Sequence, residues 1–105
     1  MKLGKSGIEK CRFAAALAAL QTYIVNRGYQ YYLGDGTCRD GHRENSYHYR
    51  GLAQDINLFA PDGTYLTKTE DHAAIGAYWE SLDKMCTWGG RWNDGNHYSW
   101  GEVRR

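Results

Sequence analysis

Ser46-Tyr47-His48-Tyr49-Arg50-Gly51-Leu52-Ala53-Gln54-Asp55-Ile56 sets an imidazole and a carboxylate seven residues apart, across Gly51. On one continuous helix that offset is about two turns, roughly 10.5 Å, too far for two donors to share a small ion. On one straight strand an odd offset sends the two side chains to opposite faces. They converge only where the chain turns between them, and Gly51 is the residue that permits a turn. Beyond it, residues 52–59 alternate as a half-buried strand. Leu52, Ile56 and Leu58 fall on one face, with Gln54 the exception, and Ala53, Asp55 and Asn57 on the other. Asp55 is thereby expected on the polar face of this strand, with His48 leaning over it from the preceding loop.

Outward from this stretch, the flanking segments read as an α+β chain. Upstream, Phe13, Leu17, Leu20 and Ile24 form a helical stripe, predicting an amphipathic helix over residues 7–27. Ser6 and Glu9 have the spacing of a capping box, and Gly28 is a C-terminal stop. Tyr29–Leu33 is β-prone, and residues 34–47 are polar and irregular, a length typical of a functional loop. Downstream, Pro61-Asp62-Gly63 signals a turn and Thr64–Leu66 a short returning strand. A second helix is predicted over about 70–85, capped by Thr67 or Thr69, with Glu70 and Asp71 at its positive end. Gly89-Gly90 breaks the chain again, and His97–Trp100 reads as a last strand. With neither repeat nor linker, this pattern predicts one domain over 1–105: two main helices and a small antiparallel sheet.

A second cluster, Trp88-Gly89-Gly90-Arg91-Trp92-Asn93-Asp94-Gly95-Asn96-His97-Tyr98, supplies another imidazole and a carboxylate three residues before it. Two histidines and a carboxylate from separate segments, with a fourth position open, form the donor set of a catalytic zinc site. A further carboxylate is what such a site uses to take a proton from the attacking water.

Ser46-x-His48-x-x-Gly51-x-Ala53-x-Asp55, followed by Asp94-x-x-His97, resembles the zinc peptidase family of D-Ala-D-Ala carboxypeptidases and L-alanyl-D-glutamate endopeptidases. That family includes phage endolysins and shares its fold with the hedgehog signalling domain. The resemblance spans about Gly34 to Tyr98 and holds at five fixed positions of the first motif. It implies zinc ligands at His48, Asp55 and His97, a catalytic carboxylate at Asp94, and a hedgehog-type fold. Much of the family carries Glu where this chain has Asp94, although Asp occurs in some endolysin-like members. The resemblance further implies a peptidoglycan stem peptide as substrate, cut by carboxypeptidase or L-Ala-D-Glu-type endopeptidase action, in a phage-encoded or prophage-derived protein. Which bond is cut stays open. A catalytically silent, zinc-containing binding or structural module of the same fold is the alternative.

Arg39 precedes the first motif at a distance resembling that of the family arginine that steadies the scissile carbonyl or substrate carboxylate. Arg43 competes for that role, and a charged loop facing water is the plain alternative for both. Ser46 is assigned to substrate or to hydrogen bonding a ligand. Trp88 and Trp92, flanking two glycines, form either a sugar or peptide platform, Trp92 foremost, or packing. Asp94-Gly95 is also an ordinary turn dipeptide. His42 is read as solvated or substrate-facing, and His72 as a surface residue in the first turn of the second helix.

Composition narrows the classes. A net charge of +1 leaves no electrostatic footprint for nucleic acid. The alanine-rich run Phe13–Leu20 falls far short of the ~20 residues of a membrane span. Lys2, Lys5, Lys10 and Arg12 before it mimic a signal peptide, but the stripe favours a core helix. Cys11, Cys38 and Cys86 are odd in number and form no CxxC pair, so synthesis in a reducing cytoplasm is expected rather than a disulfide framework. Thiolate ligation of the zinc is the minor alternative. A monomer is expected that is made in the cytoplasm and acts at the bacterial cell wall, after phage-mediated release or as part of a virion.

Overall fold

The computed structural model describes residues 1–34 and 50–104. Helix α1 runs Lys5–Asn26, and Phe13, Leu20 and Ile24 of its stripe are buried, with Leu17 half-buried against the same core. Its end is satisfied by backbone alone: Gly28 N–H donates to Val25 O and Tyr29 N–H to Ile24 O, at 3.0 and 3.2 Å. The expected capping box is absent. Gly4 is the N-cap without side-chain help, Ser6 lies inside the helix, and Glu9 instead accepts the Trp100 indole N–H at 2.6 Å. Glu9 thus fastens the first turns of α1 to the last strand rather than closing its own helix.

Strands β1 (Gln30–Leu33), β2 (Ala53–Phe59), β3 (Tyr65–Leu66), β4 (Cys86–Trp88) and β5 (His97–Trp100) form one antiparallel sheet in the order β1-β2-β5-β4. Strand β2 is its centre. One edge pairs with β1; the other pairs with β5 along Ala53–Asp55 and with β3 at Leu58 and Phe59. Ile56 and Leu58 are buried, as the alternation predicts. Gln54, the exception on that face, is explained by its amide, which donates to Gly34 O at 2.8 Å and Asp55 O at 3.0 Å.

The second helix is shorter than predicted. A 3₁₀ turn over Thr69–His72 leads into α2, Ala73–Leu82. Lys68 N–H donates to the Asp71 carboxylate at 3.1 Å, and the Thr69 hydroxyl accepts from Gly95 N–H at 3.2 Å instead of capping the helix. After Leu82 the chain extends into β4, a strand the sequence reading missed: three residues are too few to show an alternation. The Arg104 guanidinium closes this end, donating to the carbonyls of Glu80, Asp83 and Cys86.

Both helices pack on one face of the sheet, around Trp79. That indole is fully buried and meets Phe13 and Tyr98 edge-on, at 6.0 and 6.1 Å between ring centroids. Its N–H is shared between Thr87 O and Ser99 O, locking α2 onto β4 and β5. His72 is likewise core, not surface: it is 2% exposed, and its Nδ1 lies 2.8 Å from the Tyr98 hydroxyl. Burial lowers its pKa, against the opposing pull of Asp71 and a hydrogen bond to Leu66. Among the described residues, no helix is long and apolar enough to cross a membrane.

Candidate metal and catalytic site

The sheet face turned away from the helices carries the site. Residues directly paired across antiparallel strands share a face, and β2 and β5 pair Asp55 with His97 and Ala53 with Ser99. Chain-distant halves of the two motifs thereby become neighbours: His97 Nδ1 stands 3.8 Å from Asp55 Oδ1. Gly51 lies at φ 70°, so the chain turns immediately before β2, as its place in the motif requires.

Asp94 reaches the same nitrogen from the loop before β5, with Oδ2 4.0 Å from His97 Nδ1. A short 3₁₀ turn over Gly89–Trp92 ends at Asn93 in the left-handed region, φ 63°, a conformation Asn tolerates. The backbone then folds back: Asp94 N–H donates to Gly89 O at 2.9 Å, and His97 N–H to Asp94 O at 3.1 Å. The Asp94 side chain is half-exposed, whereas that of Asp55 is 29% exposed and the His97 ring only 8%. Asp94, the carboxylate expected to accept a proton, is therefore more open to solvent than Asp55.

The other imidazole nitrogen, Nε2, lies 2.7 Å from Glu102 Oε1, and the same oxygen accepts from the Ser99 hydroxyl at 2.7 Å. Neither Glu102 nor Ser99 was singled out in the sequence. Three carboxylates thus surround one buried ring. Burial opposes charge on His97, but Asp55, then Glu102 and finally the Asp94 charge outweigh it and push its pKa up to about 9.

The two tryptophans divide. Trp88 pairs with Tyr98 on the core face, and its indole N–H donates to Gly95 O at 2.7 Å, so its role is packing. Trp92 sits beside His97, its ring centroid 5.8 Å away and inclined by 58°. Arg39, Ser46 and His48, with the competing Arg43 and His42, lie outside the described residues. Cys86 is buried in the core, where desolvation pushes its thiol up to about 12, and Cys11 is exposed on α1. Cys86 pairs with Trp100, on the face opposite His97.

Asp55 and His97 fit a zinc ion on the chemistry of their donors. Two ligand atoms each about 2.1 Å from a tetrahedral ion stand roughly 3.4 Å apart, close to the observed 3.8 Å. The ring also presents one nitrogen to the site while the other is engaged, and the surplus of carboxylates suits a dication. Among the described residues no three of these side chains are arranged to close on one ion; Asp55 and His97 are two of the three implied ligands.

No curated protein and no solved structure matches the chain. Residues 39–100 match the sequence profile of the peptidase family described as D-alanyl-D-alanine carboxypeptidase. This match covers more than half of the chain, including both motifs and the strands that bring Asp55 and His97 together, and the chain belongs to that family of peptidases.

Proposed function

We propose that this protein is a zinc-dependent peptidase that hydrolyses the stem peptides of peptidoglycan. The observation that carries the reading is the β2–β5 register, which sets Asp55 opposite His97 while Asp94 faces the same ring nitrogen. His48, Asp55 and His97 would hold the metal. When bound, zinc would supply the Lewis acidity that polarises a scissile carbonyl and lowers the pKa of a water toward about 7. Asp94, half-exposed at the rim, accepts the water's proton and delivers it to the departing amine. Arg39, or Arg43 in its place, steadies the oxyanion or the substrate carboxylate. Ser46 and Trp92 contact the peptide, Trp92 from its position beside His97. A phage or prophage source, with action at the cell wall after release or from a virion, accords with this chemistry.

Purified protein incubated with zinc and cell-wall sacculi, followed by identification of the new amino and carboxyl ends, tests the reading and names the bond. Release of new ends that stops with a chelator and returns with zinc is the expected result. Stoichiometric zinc in a folded protein that releases no ends would instead identify a silent zinc module. A folded protein that takes up no zinc would end both readings.

A further inference from the structure

We propose that Glu102 is a positioning residue for the metal site, acting through His97: its carboxylate holds the ring in the orientation and tautomer that present Nδ1 to Asp55. The proposal rests on the zinc reading above. A neutral imidazole has one N–H donor and one lone pair, and the partner of one nitrogen decides the role of the other. Glu102 Oε1 lies 2.7 Å from Nε2, the short separation of a charge-assisted hydrogen bond. A carboxylate only accepts, so Nε2 carries the hydrogen, and in the neutral ring that a metal requires the lone pair falls at Nδ1. That nitrogen faces Asp55 Oδ1 at 3.8 Å and Asp94 Oδ2 at 4.0 Å.

Glu102 is itself held at both ends. Its carboxylate accepts from the Ser99 hydroxyl at 2.7 Å, and its backbone carbonyl accepts from the Thr87 hydroxyl at 2.6 Å. Ser99 and Thr87 are buried and paired across β5 and β4, on the same face as His97. Along a straight strand an offset of five would send residue 102 to the opposite face from His97. Gly101, at φ 90° with its N–H on Met85 O at 2.6 Å, bends the chain so that Glu102 returns to the ring. A carboxylate behind a metal-binding histidine orients it and raises its basicity, and losing such a partner typically costs 10–100-fold in metal affinity.

The test uses the full chain with zinc, and cobalt(II) as a spectroscopic probe. Glu102→Gln keeps the shape but removes the charge, and Glu102→Ala removes the partner. Both are expected to weaken zinc binding by roughly 10–100-fold in chelator competition. At saturating cobalt their visible ligand-field bands should shift from the parent's, while the metal-free Glu102→Gln protein melts close to the parent. Glu102→Asp, which restores the charge at shorter reach, should recover part of the affinity. Unchanged zinc affinity and an unchanged cobalt spectrum in Glu102→Gln and Glu102→Ala, with a parent that binds zinc, would overturn the role of Glu102 alone. A folded parent that binds neither metal would overturn the zinc reading and this proposal with it.

Discussion

Gly89→Ala probes the link between fold and site more directly than loss of any ligand. A Cβ at residue 89 would overlap the Asp94 carbonyl oxygen, and it would lie 2.7 Å from His97 Cβ and 3.2 Å from His97 O. Carbon atoms in contact sit about 3.5–4.0 Å apart, so His97 Cβ and the residue 89 backbone must separate by roughly 1 Å. The obstructing groups are mostly backbone, with no flexible side-chain end to swing aside. Overpacking of this kind costs about 1–3 kcal/mol. Its geometric effect falls on the two residues that face each other across the site, and a displacement of about 1 Å there costs on the order of 10²-fold in rate. The assay is release of new ends from sacculi, alongside zinc content and melting temperature. Ile75→Val serves as a control: Ile75 is buried in α2 away from the sheet's site face, and the change costs a comparable ~0.5–1.5 kcal/mol. Gly89→Ala should lose about a hundredfold in rate at a temperature where both variants are folded, and Ile75→Val very little. If Gly89→Ala keeps parental turnover and zinc stoichiometry, the close packing of Gly89 does not set the geometry of Asp94 and His97.

Asp94→Asn preserves size but removes the proton-accepting charge; turnover should fall by roughly 10²–10⁴ while zinc content and melting temperature hardly change. Parental turnover in that variant would reduce Asp94 to a turn former. Asp55→Ala should lower zinc content and, with zinc present, the melting temperature, because a ligand joining distant segments adds its binding free energy to folding; calorimetry with and without zinc checks this. His72 predicts a pH dependence. Burial lowers its folded pKa below the ordinary value of about 6.5, so the unfolded chain binds its proton more readily. The stabilising contribution is complete above about pH 6.5 and is lost as pH falls through the depressed folded value. Melting of metal-free parent and His72→Asn between pH 7.5 and 5 should converge toward the acid end, and parallel curves would contradict the assignment.

Much of this architecture was legible from local patterns. The Phe13–Ile24 stripe, the alternation through Ile56 and Leu58, and the glycines flanking the elements each report a short-range period, and α1, β2 and β5 formed where those periods predict. Donor chemistry and the family resemblance join the two motifs into one site, since nothing in either cluster alone says that they meet. Only the tertiary structure decided that Asp55 sits opposite His97, because strand register depends on every pair along both strands at once. The burial of His72 was equally hidden: its acidic neighbours suggest solvent, but its surroundings are set by Tyr98, far along the chain. Glu102 shows the same limit at shortest range. Its offset from His97 places it on the wrong face of a continued strand, and only the bend at Gly101, closed by hydrogen bonds to Met85 and to Thr87 of β4, returns its carboxylate to the ring. Sequence periodicity records which way a side chain leaves its own element; which partner it meets is determined by the packing of the elements together.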